Sequence, residues 1–150
     1  MVPGDCRPAQ RASRGRIAAL REHLAAIGAE ALLVPSADPH LSEYLPDRWQ
    51  GRRWLSGFTG SQATLIVAAH KAALFADSRY WEQAEAELAG SGVDLVKIPN
   101  AGSTLHLEWL ARELPKGAVV AVDGQVLGLG AASALRAALD TAGIALRTDV

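Results

Sequence analysis

The stretch "ATLIVAAHKAALFAD" (Ala63–Asp77) decides the fold. Two apolar runs, "ATLIVAA" and "AALFAD", flank His70 and Lys71, a separation short enough for an antiparallel hairpin. Upstream, "ALLVP" (Ala31–Pro35) is a short continuous apolar run closed by proline, the pattern of a buried strand. Before it, Ile17, Leu20, Leu24 and Ile27 recur at spacings of three and four, which predicts a helix over 14–27 with Gly28 placed to stop it. Downstream, a helix is expected from Ser78 to about Leu88, with Tyr80 or Trp81, Ala84 and Leu88 facing inward. A strand "VDLVKI" follows, then a helix capped by Ser103 or Thr104 that presents Leu107, Leu110 and Leu114 and is stopped by Pro115. The strand "AVVAVD", a helix over 131–142 and a final strand "IALRTD" complete the pattern. Together these elements predict an α/β fold: a mixed sheet of about six strands, containing one antiparallel hairpin and flanked by helices on both faces.

Composition sets the class. A chain of 150 residues with 49% hydrophobic and 21% charged residues is sized for one domain with one core. Its net charge of -1 argues against a general phosphate-binding surface, which needs clustered Lys and Arg. The single cysteine, Cys6, forms no internal disulfide and fits a reducing cytosol. No apolar run approaches the ~18 residues that span a bilayer. Arg7, Arg11, Arg14 and Arg16 lie in a stretch without an apolar core, so residues 1–15 read as a flexible leader and 16–150 as the domain. The expected setting is the cytoplasm, with neither nucleic acid nor membrane as partner.

Several chemistries fail on spacing. The histidines His23, His40, His70 and His106 are far apart, no His-x-x-x-His pair occurs, and "HLE" (His106–Glu108) sits on an amphipathic helix, so no metal site is assigned. Ser61, His40 and Asp38 or Asp77 have the residue types of a triad, but "TGSQA" leads into a strand and not a helix, unlike a nucleophile elbow. Gly128 and Gly130 partly match a dinucleotide fingerprint, yet Asp123 to Leu127 separate them from the preceding strand, where an immediate turn is required. "RWQGRRW" (Arg48–Trp54) has the arginines and tryptophans of a single-strand binder. Standing alone in a near-neutral chain, it reads better as a partner surface of Trp49, Arg52, Arg53 and Trp54 or as a partly buried aromatic corner.

Two segments remain, "SADPHLSEYLP" (Ser36–Pro46) and "FADSRYWEQA" (Phe75–Ala84), each following an apolar strand with charged and aromatic groups together. Asp77, Ser78, Arg79 and Tyr80 fall at a strand-to-helix junction, where ligands commonly bind. Asp77 and Ser78 are equally suited to cap the helix. Arg79, a guanidinium beside aromatics, suits carboxylate or peptide carbonyl recognition.

In order and spacing, "VPSADPHLSEYLP", "WLSGFTGS" (Trp54–Ser61) and "FADSRYWEQAEAEL" resemble the creatinase/prolidase-type N-terminal domain of cytosolic Xaa-Pro aminopeptidases, the aminopeptidase P family. The resemblance runs from about Arg16 onward and includes "PKGAVVAVDG" (Pro115–Gly124). It implies a parent enzyme that releases an N-terminal residue preceding proline. It also implies two divalent metal ions, usually manganese, held in a catalytic domain absent from this chain, and a homodimeric full-length protein. For this domain it implies substrate-pocket and oligomer contacts, with no catalytic residue, metal ligand or cofactor of its own. The arginine of the family's Asp-Gly-Arg-Tyr motif takes part in peptide binding and matches Arg79, so the candidate substrate-binding residues are Arg79, His40 and Tyr80. Ser78 stands at that motif's glycine, Phe75 and Ala76 at its usual Trp and Thr, and Gln62 and Ala63 where small residues are expected. Ser78, Gln62 and Ala63 motivate the alternative: a binding module of the same fold that has lost peptidase activity.

Overall fold

The computed structural model describes residues 8–34, 55–58, 63–100, 104–122 and 129–148. In chain order it contains α1 (Pro8–Ile27), β1 (Ala31–Val34), β2 (Thr64–Ala68), β3 (Ala72–Ala76), α2 (Trp81–Leu88), β4 (Asp94–Lys97), α3 (Leu105–Glu113), β5 (Val119–Val122), α4 (Leu129–Ala142) and β6 (Ala145–Arg147). The strands form one mixed sheet in the order β4-β3-β2-β1-β5-β6. The expected hairpin is present, with β2 and β3 antiparallel and Thr64 opposite Phe75. β2 is also antiparallel to β1, while β1 with β5, β5 with β6 and β3 with β4 are parallel. Every strand except β2 therefore runs the same way.

Strict alternation explains why the central strands read as unbroken apolar runs. Side chains of a strand point to opposite faces in turn, and here both faces are covered. Ala31, Leu33, Ile66, Ala73, Phe75, Val120 and Val122 face one side, against Leu107, Trp109 and Leu110 of α3 and Leu135 and Leu139 of α4. Leu65, Val67, Ala72, Leu74 and Ala76 face the other, against Ile17 of α1 and Ala84 and Leu88 of α2. Leu24 of α1 extends that second layer over Ala121 of β5.

Helix ends follow local chemistry, and three starts differ from the sequence expectation. α1 begins at Pro8, not near Arg14, so residues 8–15, expected within a leader, are helical. The apolar periodicity marks only the packed part of that helix. Pro8 itself suits a first turn, because the N–H it lacks would have no intrahelical acceptor. α1 closes at Gly28, whose φ of 78° only glycine adopts without strain. The Gly28 N–H donates to Ala25 O at 3.2 Å and the Ala29 N–H to Leu24 O at 2.9 Å, which is a Schellman ending. The same arrangement at Gly143 closes α4. α4 starts at Leu129, two residues before expectation, whereas α3 starts after Thr104 as expected, though that side chain makes no capping bond. α2 begins at Trp81, three residues later than expected, because Asp77 to Tyr80 form a turn of their own.

Candidate functional site at the carboxyl edge of the sheet

Because β1, β3, β4 and β5 are co-directional, Val34, Ala76, Lys97 and Val122 all end at one edge of the sheet. Ligands of open α/β sheets bind at this carboxyl edge. The ends of β3 and β4 are joined there, with Ala76 O accepting the Ile98 N–H at 3.0 Å and the Trp81 indole N–H at 2.8 Å. Lys97 at the end of β4 lies 5.3 Å from the Trp81 ring centroid and pairs with Glu85 at 2.9 Å.

Immediately after β3 the chain turns, with the Tyr80 N–H donating to Asp77 O at 3.0 Å. Asp77 is buried, and its carboxylate is the hub of the turn. Oδ1 accepts the Arg79 backbone N–H at 3.1 Å and the Arg79 Nε–H at 3.0 Å, while Oδ2 accepts from Nη2 at 2.9 Å. This is a side-on bidentate pair between a carboxylate 6% exposed and a guanidinium side chain 60% exposed. The hydrogen bond from Arg79 holds the Asp77 carboxyl below its ordinary range, and the same bond raises the Arg79 guanidinium further. Both groups are ionised throughout the physiological range.

An aromatic wall stands behind the pair. The Arg79 guanidinium carbon lies 5.2 Å from the Tyr80 ring centroid. Tyr80 meets Phe58 edge-on, with centroids 5.9 Å apart and ring planes at 89°. Phe58 is fully buried, and its N–H donates to Ser56 Oγ at 3.1 Å. Between them Gly57 has a φ of 78°, and a Cβ there would come within 3.3 Å of Ser13 Oγ. The glycine-containing stretch around Trp54–Ser61 thus serves, in its described part, as a buried support under Tyr80.

The structure brings Arg79 and Tyr80 together, gives Asp77 the part of holding Arg79, and adds Phe58 beneath Tyr80. Asp77 is not a helix cap: α2 starts after Tyr80 without a side-chain capping bond, and the Asp77 carboxylate is consumed by Arg79. The missed signal was the Asp-x-Arg spacing, since an Asp side chain readily bonds the backbone two residues on. Ser78 is exposed, and the Asp77–Arg79 pair forms across it, so that departure leaves the arginine in place. His40, Trp49, Arg52, Arg53 and Trp54 lie outside the described residues, as do Asp38, Ser61 and Gln62. Among the described residues no three His, Cys, Asp or Glu side chains gather to hold a metal ion. No helix among them is long and apolar enough to cross a membrane.

Residues 16–147 match the family of the creatinase/prolidase N-terminal domain, and the chain belongs to that family. It is 37% identical over 115 residues to Xaa-Pro aminopeptidase 2 of Rattus norvegicus, covering 77% of this chain and 17% of that protein. The X-prolyl aminopeptidase of Caenorhabditis elegans, described as a cytosolic enzyme with a di-nuclear active site, superposes with a TM-score of 0.74 at 33% identity, over 92% of this chain and 23% of that one. The N-terminal domain of a metallopeptidase from Corynebacterium diphtheriae shares the fold, with a TM-score of 0.68 at 24% identity, over 90% of this chain and 94% of that one. The chain therefore spans about a sixth of the length of the rat relative.

Proposed function

We propose that this chain is the non-catalytic N-terminal domain of a metal-dependent Xaa-Pro aminopeptidase, which releases an N-terminal residue preceding proline. The observation that carries the reading is Arg79: an exposed guanidinium, anchored on a buried carboxylate, at the edge of the sheet where ligands bind. The 37% identical rat relative, an Xaa-Pro aminopeptidase, supports the substrate class, a peptide with proline in second position. In this reading Arg79, Tyr80 and His40 border the substrate pocket, and Trp49, Arg52, Arg53 and Trp54 belong to a partner surface of a homodimer. Two divalent ions, Mn2+ by the resemblance, belong to a separate catalytic domain. What this domain supplies is binding and orientation, in the cytoplasm.

The test joins this domain to its catalytic domain and compares wild type with Arg79→Ala on Ala-Pro-Ala. Weakened substrate use at unchanged metal content is the expected outcome. Unchanged catalytic efficiency would remove Arg79 from the pocket, and hydrolysis of Ala-Pro-Ala by the 150-residue chain alone would overturn the non-catalytic assignment.

A further inference from the structure

A guanidinium has two edges able to bind oxygen pairs: a side-on edge of Nε–H with Nη2, and an end-on edge of Nη1 with Nη2. In this chain the side-on edge is occupied, because Nε and Nη2 of Arg79 donate to the two oxygens of Asp77 at 3.0 and 2.9 Å. The guanidinium carbon lies 5.2 Å from the Tyr80 ring centroid, and Tyr80 is itself braced by buried Phe58. We propose that Asp77 is a positioning residue for Arg79. It takes the side-on edge and fixes the end-on edge as the one that meets a carbonyl or carboxylate oxygen of the peptide. This inference rests on the reading that Arg79 touches substrate.

Two observations separate positioning from simple stabilisation. A surface ion pair contributes little to stability, so stability alone is a poor reason to bury one partner. Here the burial is one-sided: the Asp77 side chain is 6% exposed and that of Arg79 60%. Buried base and exposed head are the geometry of a mount. The mount also holds both ends of the arginine, since the Arg79 backbone N–H bonds the same Asp77 oxygen at 3.1 Å. An unmounted arginine at this exposure would sample many rotamers and lose that entropy on meeting a ligand, which preorganisation avoids.

The experiment uses the protein with its metal-loaded catalytic domain and Ala-Pro-Ala as substrate. Arg79→Ala, Asp77→Asn, the double variant and Arg79→Lys are compared with wild type. Side-chain hydrogen exchange of Arg79 Nε–H, followed by NMR in the 150-residue chain, monitors the mount directly. Asp77→Asn is expected to raise KM on the order of tenfold with kcat within about threefold, an equilibrium change of one decade. It is also expected to accelerate exchange at Nε, and the double variant should be no worse than Arg79→Ala, because the two residues act as one unit. Arg79→Lys should resemble Arg79→Ala, since one ammonium cannot fill both edges. If Arg79→Ala leaves KM unchanged, the substrate contact itself is wrong. If Arg79→Ala raises KM while Asp77→Asn does not, despite faster Nε exchange, the contact stands and the positioning proposal falls. Should Asp77→Asn fail to fold, wild-type KM in Arg79→Lys would overturn the two-edge assignment and a raised KM would support it.

Discussion

The two ends of the sheet use charged side chains in opposite ways. At the amino edge Lys71 pairs with Glu113 at 2.8 Å, but two charged groups are spent on backbone. Glu30 accepts the Val119 N–H on its carboxylate and donates its own N–H to Val119 O at 2.8 Å, tying the starts of β1 and β5 together. Arg21 on α1 donates from Nε to Ala68 O at 2.8 Å, holding the end of β2, and burial lowers its guanidinium from the ordinary value. At the carboxyl edge the charge of Arg79 is held by a side chain, Asp77, and its head stays exposed. The same residue type thus closes the fold at one edge and leaves a donor edge presented at the other. A charged group spent on backbone is structural, whereas one held by a buried carboxylate keeps its head in solvent.

The largest effect tests whether both edges depend on one core. Phe75 is 1% exposed and lies edge-on to Trp109, with centroids 6.1 Å apart and ring planes at 84°. Phe75→Ala is expected to cost about 3–5 kcal/mol of unfolding free energy, read from denaturant titration. Loss of that size should also release the Nε protection of both Arg21 and Arg79 in NMR exchange. Protection surviving at one edge alone would show that the two ends are held independently.

Next in size is the amino edge. Glu30→Ala leaves the half-buried Val119 N–H without its side-chain acceptor, at a cost of about 1–3 kcal/mol. The loss should appear in the denaturant midpoint with an unchanged m-value, and substrate use by the enzyme carrying this domain should not change. Arg79→Ala should do the converse, impairing substrate use while lowering the melting temperature less than Glu30→Ala does. An equal fall in melting temperature for the two variants would erase the distinction between edges.

How far the sequence reveals these parts follows from how local each one is. The sheet's strands and the hairpin are readable because Leu65 to Ala68 and Ala72 to Ala76 are continuous apolar runs, and both faces of those strands are covered. The helix starts are not, because apolar spacing reports only packed turns: it marks Ile17 onward in α1 and is silent on the first turns from Pro8. Trp109, 6% exposed in α3, is missed because the periodicity of Leu107, Leu110 and Leu114 already fills one helix face. The contact of Arg79 with Asp77 is local, two residues apart at a strand end, and the Asp-x-Arg spacing is its sequence signal. Arg21 with Ala68 is separated by 47 residues and Glu30 with Val119 by 89, and only the sheet order brings those pairs together. Phe58 under Tyr80 has the same cause: two motifs distant in sequence meet because β2 and β3 carry them to neighbouring positions.

The smallest effect is the pH response of the carboxyl edge, and its sign follows from the direction of the shift. The Asp77 carboxyl is held below its ordinary range, chiefly by the side-chain hydrogen bond from Arg79. A carboxyl lowered in the folded state stabilises the fold above its unfolded value of about 3.9. That contribution is lost as pH falls through the lowered folded value. Between about pH 5 and 8 the pair is fully formed and its share of stability should be flat. Glu113 is lowered in the same direction by its bond from Lys71, so both carboxylates act on the acid limb alone. Asp77→Asn is therefore expected to lower melting temperature near neutrality and to flatten its decline below about pH 4, leaving Glu113 as a remaining acid-limb contributor. A wild-type melting temperature that instead changed steeply between pH 6 and 8 would mean that another group, and not the Asp77 mount, governs that edge.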